Sequence, residues 1–131
     1  MDFDAFSHGQ IQSKIWLCEN LEKYLPNNCS IAILGSWYNV LGFMLMIRNQ
    51  ENYKLINGID IDSTTVNIAN KIVHTWEIGS AYKIKNTCAD VSNFNLDVYD
   101  TVINTSVEHM NTDWYKNVTS QLVCIQSSNV I

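Results

Sequence analysis

The chain is poor in basic residues, has little glycine and proline, and carries no long apolar run. Lysine and arginine number 8 against 13 aspartates and glutamates, a formal net charge of −5. That balance argues against a broad phosphate-binding surface and so against bulk nucleic acid as a partner. No apolar stretch approaches the roughly 18 residues of a membrane span, so no membrane partner is expected. The amino terminus, MDFDAFSHGQ, is acidic and lacks the basic and apolar regions of a signal peptide, so a cytoplasmic location is the expectation. Cys18, Cys29, Cys88 and Cys124 are too far apart for a zinc ribbon or a redox pair. No metal site is expected, and the thiols read as reduced core residues, Cys88 and Cys124 on strands especially.

What remains is a chain of 131 residues, 47% hydrophobic and 16% charged, which suits one domain with a real core. It reads as an N-terminal helical segment, 1–27, and an αβ core, 28–131. Ile11, Ile15, Cys18, Leu21 and Leu25 recur at helical spacing, predicting a helix from about Gln10 to Tyr24 that Pro26, the single proline, stops. Ile31 to Leu34 is a short buried-strand run closed by Gly35, and Val40 to Ile47 is a Leu- and Met-rich helix. Tyr53 to Asp62 reads as a second strand, with a helical stripe of Val66, Ala69, Ile72, Val73 and Trp76 behind it. Tyr82 to Cys88, Val98 to Asn104 and Leu122 to Gln126 are three further strands, with a short helix between Thr112 and Val118. The alternation predicts an α/β fold, Rossmann-like, with a mostly parallel sheet of about five strands and helices on both faces.

In such a sheet ligands bind beyond the carboxyl ends of the strands, where the strand order switches. The first strand runs into AILGSWYNVLG, Ala32 to Gly42. Gly35 lets backbone approach a ligand, and the helix that follows offers its first N–H groups to an anion. Asp60 ends the second strand and is placed to accept hydrogen bonds from both hydroxyls of a ribose. Asp90 is a candidate acceptor for an adenine amino group, with Ile61 covering the ring face. Asn104, Thr105 and Ser106 follow the fourth strand, then Glu108 and His109. Each has a plainer reading: a strand–helix turn for Gly35 and Gly42, a helix cap for Asp62, a polar loop for Asp90, solvated turn residues for Glu108 and His109. His8 reads as helix entry, His74 as structural, and Trp16 and Trp114 as packing residues.

ILGSWYNVLG, INGIDID, CADV and YDTVINTSVEHM stand in the order and at the spacing of the class I S-adenosylmethionine-dependent methyltransferases, and the chain resembles that family from about Ile31 to Gln126. The resemblance implies S-adenosylmethionine as cofactor and methyl transfer to an acceptor that the sequence does not identify. It maps GIDID onto the ribose motif at Asp60 and CADV onto the adenine motif at Asp90 and Val91. The Gly35, Ser36 and Trp37 loop is a wall of the implied cofactor site, Asn104 and Thr105 lie near the methionine part, and His109 and Glu108 are the candidate bases. Two departures stand out. Trp37 and Asn39 occupy the second and third positions of the family's GxGxG, and of the two only asparagine readily tolerates a left-handed backbone. The family's sheet also carries strands beyond a fifth, so the chain reads as a minimal version or a fragment.

Two further readings compete: a nucleoside-binding domain without catalysis, and a nicotinamide-dependent oxidoreductase, which the missing GxGxxG disfavours. A sheet that stops at its fifth strand leaves an open edge, so a homodimer through that edge or a tail folded over it is expected.

Overall fold

The computed structural model describes residues 7–75, 83–107, 110 and 112–126. Helix α1 (His8–Leu21) is followed by strand β1 (Cys29–Leu34), helix α2 (Val40–Asn49), strand β2 (Tyr53–Asp60) and helix α3 (Ser63–Thr75). Strands β3 (Ile84–Cys88), β4 (Thr101–Asn104) and β5 (Leu122–Ile125) complete the sheet, whose order is β3-β2-β1-β4-β5. All four pairings are parallel. The expected Rossmann-like α/β fold is therefore present, and each of the five strands overlaps a predicted one.

The chain builds outward from β1 to β3, then returns to set β4 against the other side of β1. Ile31, Ile33, Ile56, Ile84 and Ile103 point to one face and bury themselves under Leu17 and Leu21 of α1 and Leu41, Leu45 and Met46 of α2. Ala32, Leu34, Ile59 and Val102 point to the other and pack on Val91, Leu96, Tyr99 and Trp114. Among the described residues the second face carries the 3-10 turns Val91–Asn93 and Thr112–Asn117 in place of α-helices. This third layer is thinner than predicted.

Several local expectations are met. Ser7 caps α1 by accepting from the Gln10 N–H at 3.3 Å, the plain reading of the SHGQ segment. Trp114 is buried in the second core, whereas His74, read as structural, is exposed on α3. Others need correction. Trp16 is exposed on α1 and packs nothing into the core. Cys88 is exposed rather than buried, as the last residue of a strand that has a sheet neighbour on one side only among the described residues. Val98 is also exposed, and β4 begins later, at Thr101. Just before it, Asp100 turns its carboxylate onto the Ser30 N–H at 3.0 Å. Gly42 does not punctuate the turn; it is buried inside α2. Trp76 and Tyr82 lie outside the described residues.

Candidate functional site

The strand order reverses between β1 and β4, and the residues after these two strands meet. The Ser106 hydroxyl donates to the Gly35 carbonyl at 3.0 Å. A Cβ on Gly35 would lie 2.7 Å from Ser106 Cβ and 3.0 Å from Met110 Cε. Only glycine permits the two loops to approach this closely. Gly35 thus serves a contact within the chain first. Asn104 supports that contact: its Oδ1 accepts from the Ser106 N–H at 2.8 Å, and its Nδ2 donates to the Met110 sulfur at 3.2 Å.

The β1–α2 loop has an unusual backbone. Gly35, Trp37 and Asn39 all have positive φ, at 63°, 57° and 58°. The alternation expected of three glycines is kept with only one of them. Asparagine adopts this region readily; a bulky indole does not. Holding Trp37 there costs about 1–3 kcal/mol, which the surrounding contacts must offset. One of these contacts is the Trp37 N–H, which donates to Oδ2 of Asp60 at 2.9 Å. Its indole stacks on the buried ring of Tyr38, with centroids 5.5 Å apart and planes 22° from parallel. Trp37 itself is half-buried.

Asn39 is wholly buried and its amide donates to Oδ1 of Asn86 at 2.9 Å. Its own Oδ1 and the Nδ2 of Asn86 have no partner. The wedge is possible because two glycines surround it. A Cβ on Gly42 would stand 2.3 Å from Asn39 Oδ1, and one on Gly58 would stand 2.7 Å from Asn39 Cγ. As N-cap of α2, Asn39 makes no side-chain capping bond, so its side chain leaves the first N–H groups of that helix uncapped.

Asp60 ends β2 beside this loop. Its Oδ1 accepts from the Asp62 N–H at 2.9 Å while Oδ2 holds Trp37. A carboxylate offers about four lone-pair sites, so both oxygens keep capacity for a pair of hydroxyls. Asp62 caps α3 through the Thr64 N–H at 2.9 Å, its plainer reading. Asp90 caps the Val91–Asn93 turn through the Ser92 N–H at 2.9 Å. Val91 is buried in the second core, while Ile61 stands exposed next to Asp60. Thr105 is half-buried after β4. Glu108 and His109 lie outside the described residues.

The groups with the largest pKa shifts sit away from this edge. Burial pushes the Cys18 thiol up to about 11 and the Tyr53 hydroxyl up to about 12, and it raises Cys29 and Cys124 as well. Cys18, Cys29 and Tyr53 are core positions, Cys124 is half-buried against the core, and none is an activated nucleophile. Among the described residues no group of three or more histidines, cysteines and acids is placed to hold a metal, and no helix is long and apolar enough to cross a membrane.

Sequence reasoning gave no role to Ser106 and did not find Met110, Tyr38 or Asn86. Gly58 carried a signal, because an isolated glycine inside a strand marks close approach of another group.

No protein-family model and no curated protein matches the chain by sequence. Solved structures match by fold. One, assigned as an S-adenosyl-L-methionine-dependent methyltransferase of Methanococcus maripaludis, aligns with a TM-score of 0.70 at 17% identity, over 86% of this chain and 54% of its own. M. capricolum TrmK, solved with S-adenosyl-homocysteine, aligns at 0.65 and 20% identity, over 88% and 53%. The geranyl diphosphate C-methyltransferase of Streptomyces coelicolor, solved with Mg2+, geranyl diphosphate and S-adenosyl-L-homocysteine, aligns at 0.65 and 11%, over 79% and 40%. The chain spans about half the length of the first two and less of the third. Its fold is that of the class I S-adenosylmethionine-dependent methyltransferases.

Proposed function

We propose that the chain binds S-adenosylmethionine at the carboxyl edge around β1, β2 and β4 and transfers its methyl group to a second substrate. One observation carries this reading. In the methyltransferase fold, the carboxylate at the end of β2 is locked against a left-handed loop after β1 and still has lone pairs to give. The residues fit the cofactor. Asp60 accepts from the ribose hydroxyls. Ile61 covers an adenine face, with Asp90 accepting from its amino group through the oxygen not used in capping. The uncapped N-terminus of α2 receives a carboxylate. Gly35, Ser36, Asn104 and Thr105 border the methionine part.

The bound cofactor supplies a methyl group already activated by its sulfonium. The protein's contribution is alignment and a shielded site, which set the geometry of an in-line displacement. An acceptor that loses a proton also needs a base, and Glu108 and His109 are the proposed bases.

Thermal melting with S-adenosylhomocysteine and with NAD tests the binding. A ligand at 100 times its dissociation constant adds about 2.7 kcal/mol of stability. Stabilisation by S-adenosylhomocysteine alone supports the reading, and stabilisation by NAD alone sinks it. Transfer of a labelled methyl group then separates an enzyme from a domain that binds without turnover. Unchanged turnover in a His109→Ala variant would remove that residue from the mechanism.

A further inference from the structure

Trp37 holds a backbone conformation that an indole normally avoids, at φ 57°, in the middle of the β1–α2 loop. Strain of this kind persists where neighbours enforce it, and it gathers at ligand sites. Deep burial of the indole does not explain it. The next residue, Tyr38, is the one that enters the interior, at 3% exposure, while Trp37 stays half-buried. Tyr38 covers one face of the indole at an interplanar angle of 22°, leaving the other face uncovered by that ring. The backbone is pinned to Asp60 at 2.9 Å, so the indole is carried on a residue that touches the proposed ribose acceptor.

Asp60, Asp62 and Asp90 lie on the same edge of the sheet, engaged with backbone N–H groups. The ion pairs Glu22–Arg48 and Asp113–Lys116 involve none of these acids. An edge rich in carboxylates favours a cation, and tryptophan is the aromatic side chain that attracts one best.

We propose that the indole of Trp37 is a wall of the ligand site and selects the positively charged sulfonium of S-adenosylmethionine over the neutral thioether of S-adenosylhomocysteine. The inference rests on the S-adenosylmethionine reading above. It makes Trp37 a binding residue that favours entry of charged cofactor and release of spent product. The loop keeps its left-handed path, and the missing glycine becomes a charge reader.

Isothermal titration of wild type, Trp37→Gly and Trp37→Phe with both ligands tests it, with melting of each ligand-free protein alongside. Glycine relieves the strained φ, so Trp37→Gly melts at or above the wild-type temperature. Its affinity for S-adenosylmethionine falls about tenfold, the size of a partly desolvated cation–π contact, while affinity for S-adenosylhomocysteine falls no more than about twofold. Trp37→Phe lies between, and its ligand ratio decides should the glycine variant fold poorly. Equal losses for the two ligands, or no loss, overturn the proposal. A lower melting temperature for Trp37→Gly with both affinities kept assigns the indole to packing and overturns it too. A wild type that binds neither ligand fails at the earlier reading, which the same titration shows before any variant is made.

Discussion

The main-chain N–H of Trp37 and the carboxylate of Asp60 are 2.9 Å apart, and this bond joins the loop after β1 to the end of β2. The second oxygen of Asp60 accepts from the Asp62 N–H. One side chain thus fixes both loops that border the proposed ribose position. Its removal should loosen the site before it loosens the fold.

Asp60→Asn keeps one acceptor oxygen and replaces the other with an N–H donor. One of the two backbone N–H groups then loses its partner. A hydrogen bond to a charged group contributes about 1.5–3 kcal/mol, and the half-exposed position lets water recover part of it. We expect urea denaturation to show a loss of about 1 kcal/mol. Binding of S-adenosylhomocysteine should fall by far more than that loss in stability explains. A variant that is fully stable yet binds normally would remove Asp60 from both roles.

The open side of β5 gives a second expectation. Val123 and Ile125 are exposed on one face of this strand, which pairs only with β4 among the described residues. Edges of this kind invite pairing, and a lysine on the exposed face opposes it. Val123→Lys should reduce concentration-dependent association in sedimentation measurements and leave the melting temperature nearly unchanged. Identical sedimentation of variant and wild type across the concentration range would show the edge to be inert.

Most of the sheet was legible because its signals are local. Ile31 to Leu34 is a β-branched and leucine run closed by a glycine, and it is the core of β1. The left-handed φ of Asn39 followed from asparagine's own tolerance. Trp37 showed only that a glycine was missing; that the loop keeps its left-handed path depends partly on Asp60, 23 residues away. The filling of the space before Gly35 was hidden for the same reason. Ser106 is 71 residues distant, and no periodicity reports such a contact. The second face misled because Thr112–Asn117 has a helical look and forms only a 3-10 turn.

Alkaline pH should weaken the fold in a defined window. Burial raises the Cys18 thiol to about 11 and the Tyr53 hydroxyl to about 12 in the folded protein. The unfolded chain loses these protons near 8.5 and 10 respectively, by about the ordinary values. A raised folded pKa contributes stability that is complete below the unfolded value and is lost as pH climbs to the folded one. Unfolding free energy should therefore decline from about pH 8.5 to about 12, with Cys29 adding in the same direction. Cys18→Ala is less stable at neutral pH because of the cavity, yet its decline should be shallower. Parallel declines for the two proteins would exclude Cys18 as a source.

The last expectation concerns the wedge of Asn39 between two glycines. A methyl group on Gly58 would meet Asn39 Cγ and Nδ2 at 2.7 Å, and Ser36 Oγ at the same distance. The serine hydroxyl can rotate away, whereas Asn39 is wholly buried and bonded to Asn86 at 2.9 Å. Gly58→Ala alone should cost about 1–3 kcal/mol, the usual penalty for overpacking. Asn39→Gly keeps the left-handed backbone and empties the contested space, at the expense of leaving Asn86 without its hydrogen bond. In that background the methyl group that Gly58→Ala adds fills a void. The cost of Gly58→Ala should then fall by at least half, a coupling that a double-mutant cycle reads directly. Additive losses in the double variant would mean that the glycine is required for some reason other than the asparagine beside it.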